Sequence, residues 1–476
     1  MNLSFKNTFK ALAMGGVLLL GACNDALNVE PRLSISASTA YSTEASLNAA
    51  LNGVYARLRS LRIYGRDLIA IPEALSDNGR ATFRSGRLGG EFQNQAGAHM
   101  DNWQVGYYAI NQANLILDAA ATIQLSAASK TNIEGQAKFL RALFYFDIVK
   151  SYAYIPTAVV SASDRGGVPL LLKGVDDITE ASLPSRAKTD DVYDQIEKDL
   201  NEAATALATF NRGVGYPSRT AALALLSRVS LYRGKHQAVV DFATQALANT
   251  PIRPTFVANA QYISAWRTPV HPESIFEVQF NPSTENSGVN ESLQTTFTTF
   301  SAAPPAGIAA GWGDLVPTAA LLADHETGDI RRNLYTLGFN NRGAAEIECI
   351  KYVGKNGLNS DNAPVIRTSE LILNRAEALA RLGRDADASR DLNQIRTRAG
   401  LPEVTLTGQA LLAEILKQRR VELAFEGHRF FDLKRQGVDI VKVGTPNLTF
   451  SDFRVLARIP IREVQINSNL QQNAGY

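Results

Sequence analysis

Two stretches far apart in the chain carry the same helical design. In SRTAALALLSRVSLYRGKHQAVVDFATQAL, Ala222, Leu225, Leu226 and Val229 recur at i, i+3, i+4 and i+7, which places them on one face of an α-helix. Gly234 interrupts the pattern, and Ala238, Val239, Phe242, Ala243, Ala246 and Leu247 resume it. SELILNRAEALARLGRDADASRDLNQIRTRAG repeats the arrangement, with Ile372, Ala376, Leu379 and Ala380 before Gly383 and Ala388, Leu392, Ile395 and Ala399 after it. Each stretch predicts two amphipathic helices joined by a tight turn. Small residues at the facing positions allow close approach of the tetratricopeptide kind. The long separation of the two copies makes this an interrupted helical repeat rather than a regular array. Ser369 is the expected cap of its helix, and Gly400 and Pro402 the expected stop of the next.

Periodicity also predicts helices over 46–60, 105–121, 131–152, 190–208 and 408–426. Residues 76–100 and 281–313 are rich in Gly, Ser, Thr, Asn and Pro, and are too long for plain connectors inside a compact domain. Loops of that length on a rigid scaffold often carry function. SIFEVQF, residues 274–280, alternates polar and apolar as a half-buried strand does. The expected class is mainly α, with helix pairs, long loop insertions and a few short strands.

The amino terminus reads as an export signal. Lys6 and Lys10 precede or open an apolar run, Ala11 to Leu20, that is far shorter than the about 20 residues a spanning helix needs. Leu20-Gly21-Ala22-Cys23 looks like a bacterial lipobox, in which cleavage before the cysteine frees it for acylation. More than one acyl chain gives stable attachment without a spanning segment. Residues 1–22 are then the signal peptide and Cys23 the lipidation site; the alternative is an ordinary signal with a chance cysteine. Removing that signal takes two lysines and no acid from 48 Lys+Arg and 46 Asp+Glu, leaving a formal charge of zero. Nucleic acid selects a basic excess, so it is not an expected partner. With Cys23 acylated, Cys349 has no intramolecular partner, and a hydrophobic core rather than disulfides must hold the fold.

The search for chemistry returns little. His99, His236, His271, His325 and His428 include no pair within one helical turn, and neither a phosphate-cradling glycine loop nor a Gly-x-Ser-x-Gly elbow occurs. The densest polar cluster is KQRRVELAFEGHRFFDLKRQG, residues 417–437. Glu422 and Glu426, one turn apart beside His428, fit the paired carboxylates of a glycoside hydrolase. They also fit an ion-paired helix end that neutralises Arg419, Arg420 and Arg429, and the alternation of acid and base favours that reading. Cys349 sits in a strand-like run without a nearby histidine, as a buried core residue does. Asp324, His325, Glu326 and Asp329 read as a solvated helix end, with calcium the alternative. No catalytic residue, metal or cofactor is expected.

YSTEASLNAALNGVY (41–55), WQVGYYAINQAN (103–114), EGQAKFLRALFYF (134–146) and ELAFEGHRFFDLKR (422–435) together resemble the SusD/RagB family of nutrient-uptake lipoproteins. The closing RIPIREVQIN and QQNAGY fit as well, while Gln418 stands where the family usually has glutamate. The resemblance implies a SusD-like helical fold in which an N-terminal region, 23–215, and a C-terminal region, 216–476, pack as one body. It also implies a lipid-anchored outer-membrane protein, facing the cell surface, that passes captured ligand to a SusC-like TonB-dependent barrel and is not an enzyme. Members commonly bind oligosaccharides and the RagB type peptides, so both ligands stay open. Sugar rings pack their C–H faces on aromatic rings, and their hydroxyls need amide, carboxylate or guanidinium partners. The first long loop offers Phe83, Arg84, Phe92 and Asn94, and the second Phe297, Phe300 and Trp312. Core packing is the alternative for each aromatic. A surface hydrolase, or a helical-repeat adaptor without a small ligand, are the competing functions.

Overall fold

The structure is a computed structural model that describes residues 40–249, 254–285, 287–300, 311–340 and 343–476. Cys23 and the segment before it lie outside the described residues.

The helices, in chain order, are α1 (Glu44–Leu58), α2 (Asp67–Leu75), α3 (Gly89–Phe92), α4 (Trp103–Thr122), α5 (Ala127–Tyr152) and α6 (Thr189–Ala206). There follow α7 (Arg219–Tyr232), α8 (His236–Ala248), α9 (Tyr262–Ala265), α10 (Leu293–Phe297) and α11 (Ala319–Ala323). The C-terminal part adds α12 (Thr368–Arg381), α13 (Asp385–Arg398), α14 (Gly408–Leu423), α15 (Arg429–Gln436) and α16 (Ile461–Ile466). The strands are β1 (Gly79–Ala81), β2 (Ser274–Val278), β3 (Leu315–Pro317), β4 (Tyr335–Leu337), β5 (Ile347–Cys349) and β6 (Ala363–Arg367). They pair as three two-stranded antiparallel ribbons, β1–β3, β2–β6 and β4–β5. None of the described helices is long and apolar enough to cross a membrane.

Local chemistry sets the helix starts. Thr43 and Ser46 form a reciprocal capping box at α1, and Ser126 and Ser218 accept backbone N–H groups at α5 and α7. Ser369 does not cap α12. That helix begins at Thr368 after Arg367, and the Ser369 hydroxyl donates instead to the buried Glu273 carboxylate. The helix predicted over 408–426 ends at Leu423, because Phe425 takes a left-handed conformation (φ 64°) and the chain turns at Gly427. A Cβ on Gly427 would collide with the carbonyl of Leu68, so this turn admits only glycine.

Tertiary packing joins the repeats. Gly234 (φ 68°) and Gly383 (φ 72°) turn the two hairpins, and α8 of the first packs directly on α12 of the second. Leu231, Val239, Ala376, Leu379, Ala388 and Leu392 share one apolar cluster across that contact. The buried Arg228 adds a bidentate pair to Glu370, at 2.6 and 2.5 Å, between α7 and α12. The larger core runs from Leu47 to Leu470 and draws on both halves of the chain. β2 differs from the half-buried strand its alternation predicts, because every position is buried. Phe276 packs on Phe139 of α5, and one carboxylate oxygen of Glu277 accepts from the Ser274 hydroxyl and the His271 backbone N–H.

Candidate ligand-binding site

The two long loops are not independent excursions. β1 of the first pairs with β3, which follows the second, and Thr82 bonds Gly313 and Asp314 just beyond. Arg84, 5% exposed at its side chain, reaches across to bond the Trp312 carbonyl (3.1 Å) and the Glu348 carboxylate (2.8 Å). Glu348 on β5 is fully buried, and its other oxygen accepts from Thr298 and from the backbone and hydroxyl of Thr299. One carboxylate therefore ties both loops to the β4–β5 ribbon. The Asp314 carboxyl is raised above its usual range by burial, against the pull of Ser85 and Arg87, which both bond it.

This junction sorts the residues singled out from sequence. Phe83 is 52% exposed and stands edge-on to Phe92 at 6.3 Å. Trp312 is half-buried, with the Arg87 guanidinium 5.6 Å from its ring centroid and its indole N–H donating to Asn290. Phe300, also half-buried, packs on Phe339 with the rings tilted and their centroids 4.8 Å apart. Phe83, Trp312 and Phe300 thus all lie on the two joined loops, and Trp312 has a guanidinium and an amide beside it.

The other candidates serve the scaffold. Phe297 is completely buried against Phe425 and Tyr352, so it is a core residue and presents nothing to solvent. Phe92 is buried beneath Phe83, with the Lys442 ammonium over its ring. Asn94 is buried with φ 49° and donates to the Leu75 carbonyl, a backbone role. Arg84 acts as the strut described above rather than as an open donor. Arg87, Asn290, Phe339 and Glu348 belong to the junction and were not singled out. Arg87 lay inside a loop already marked as functional, whereas nothing local distinguishes Phe339 or Glu348, which arrive from distant ribbons.

The carboxylates weighed as catalysts are sealed in the interior. Glu422 is fully buried between Arg398 (2.8 Å), Arg367 (3.3 Å) and Arg331 (3.4 Å). Burial alone would raise its pKa, but these three cations hold it well below the usual carboxylate range. Glu426 pairs with Arg367 and Lys351, each at 2.6 Å. Asp324, Glu326 and Asp329 are paired with Arg420, Arg396 and Arg331, and Arg396 foremost holds Glu326 down to about 2. No group of three or more metal-ligating side chains occurs among the described residues. Burial pushes the Cys349 thiol up to about 12, as for an inert core cysteine.

Comparison with known proteins decides the family. The sequence model of the SusD family matches residues 349–476, and that of a family described as starch-binding, associating with the outer membrane, matches 27–231. The chain belongs to the SusD/RagB family. It is 25% identical over 526 aligned residues to the SusD-like protein P2 of Formosa agariphila, covering 99% of both chains. Over 123 residues, 24% of this chain and 21% of the relative, it is 34% identical to the starch-binding protein SusD of Bacteroides thetaiotaomicron. Among solved structures, a SusD superfamily protein of Bacteroides thetaiotaomicron aligns with a TM-score of 0.80 at 25% identity, covering 90% of this chain and 99% of that one. A SusD-like carbohydrate binding protein of Bacteroides vulgatus has the same fold, with a TM-score of 0.76 at 20% identity over 90% of this chain and 97% of that one. The mainly helical architecture with little sheet is thus the SusD fold, and where the names of these relatives state a role it is binding rather than catalysis.

Proposed function

We propose that this SusD/RagB protein is a lipid-anchored, non-enzymatic outer-membrane receptor that captures an oligosaccharide and passes it to a SusC-like TonB-dependent barrel. The observation that carries the reading is the loop junction, where Trp312 meets Arg87 and Asn290 and where the same loops carry Phe83 and Phe300. The exposed Phe83 ring and the half-buried Trp312 and Phe300 rings match sugar C–H faces, and guanidinium and amide groups match hydroxyls. Glu348, through Arg84 and the Thr298–Thr299 turn, holds the two loops in register and so preorganises that face. The comparison with a starch-binding family supports sugar over peptide, and the buried ion pairs of Glu422 and Glu426 argue against hydrolysis at that cluster. Purification of the tagged, lipidated protein in mild detergent is the test. A large β-barrel should copurify near equal stoichiometry, and an oligosaccharide should raise the melting temperature of the complex. A protein that comes down alone under several gentle conditions, with no thermal shift from any sugar, refutes the proposal.

A further inference from the structure

A cleft of about 710 Å³ opens between residues 256–259 and the outer face of α13. Ala386, Ser389, Asn393, Gln394 and Thr397 line it at helical spacing, a stripe about 16 Å long at 1.5 Å per residue. Phe256 faces them, half-buried and steadied by the Arg398 guanidinium 4.8 Å from its ring centroid. A second cleft, of about 300 Å³, lies toward α8 and α12 and shares Phe256 and Gln394. The aromatic ring is therefore a rib in one continuous groove, remote in sequence from the two long loops.

Some polar groups of this groove are spent on the scaffold: Asn393 exchanges two hydrogen bonds with the Val404 backbone, and Asn259 donates to the Arg398 carbonyl. The side chains of Ser389, Gln394 and Thr397 have no hydrogen-bond partner among the described residues, and the Nε of the buried Arg398 has none either. Charged groups around α13 are instead consumed in pairs, Arg375 with Asp391, Arg396 with Glu326 and Arg390 with Asp387. Two free hydroxyls and the free Gln394 amide around an aromatic ring, with the lining charges Arg390, Arg398 and Glu403 of mixed sign, suit a neutral, hydroxyl-rich chain. It offers nothing specific to a polyanion.

We propose that this groove is a second binding site, for a neutral oligosaccharide, with Phe256 stacking on a sugar face and Gln394, Ser389 and Thr397 bonding its hydroxyls. The inference rests on the reading of the protein as an oligosaccharide receptor. Two sites on one chain would hold a long polymer by effective concentration as well as by contact.

Isothermal titration of the purified lipidated protein with maltoheptaose, cellohexaose, xylohexaose and laminarihexaose tests it. Binding of two equivalents of one sugar is the expected result. Phe256→Ala, and Gln394→Ala at an exposed position that leaves folding intact, should each weaken one binding phase about tenfold and spare the other. Phe83→Ala should do the reverse. A single phase that ignores both groove variants overturns the second site while leaving the loop junction standing. Heat from none of the sugars, or from a casein peptide digest alone, overturns the receptor reading and the groove together.

Discussion

Replacing Glu422 by glutamine keeps the side chain's shape but removes its charge from among Arg398, Arg367 and Arg331. Breaking a buried ion pair by neutralising one partner costs about 3–5 kcal/mol, because the other charge stays desolvated. Here the low end applies, since Arg331 keeps Asp329, Arg398 keeps Glu273 and Arg367 keeps Glu426. We expect a loss of about 3 kcal/mol at pH 7 in equilibrium denaturation. The pH dependence gives a second handle. The folded pKa of Glu422 is depressed, so its contribution is fully present above the unfolded value of about 4.3 and is lost as pH falls toward the folded one. At 1.36 kcal/mol per pH unit, about 1 kcal/mol of the gap between wild type and variant should have gone by pH 3.5. A gap below about 0.5 kcal/mol at neutral pH, or one that does not narrow with acid, would refute the account of this cluster as a stabilising ion network.

Phe297→Ala should cost about 3–5 kcal/mol by opening a cavity against Tyr352 and Phe425, whereas Phe83→Ala should change stability by less than about 0.5 kcal/mol while weakening sugar binding. Comparable stability losses in the two variants would contradict the sorting of core from surface. Gly338→Ala places a methyl group on the Glu348 carboxylate; it should displace that group from Arg84 and Thr299, and lower both the melting temperature and sugar affinity. Retention of both would show that Glu348 does not organise the junction. With its thiol pushed up to about 12 by burial, Cys349 should resist a thiol-specific reagent at pH 8 in the native protein and react only after denaturation. Rapid native labelling would argue against the buried β5.

The helical scaffold was legible because its information is local. The stripes around Gly234 and Gly383 report directly on whether a segment can be a helix and which face it buries. Ser369 shows where local reasoning fails, since the hydroxyl expected to accept at the helix start donates instead to Glu273, far away in the chain. The candidate site was half legible for the same reason. Composition marked the loops and their aromatics, but exposure separates Phe83 from Phe297, and exposure is a property of the packed molecule.

Taken alone, the sequence determined that this chain folds as helix pairs with long polar insertions, that Glu422 and Glu426 have basic neighbours at helical spacing, and that Cys349 has no histidine beside it. The tertiary structure decided that α8 stacks on α12, that the two insertions zip together through β1 and β3, and that Glu348 bolts them to a third ribbon. It also placed Phe256 against α13 to open the groove. The division follows from range: periodicity and capping act within one or two turns, whereas burial and ion pairing act between residues that only the collapsed core brings within a few ångströms.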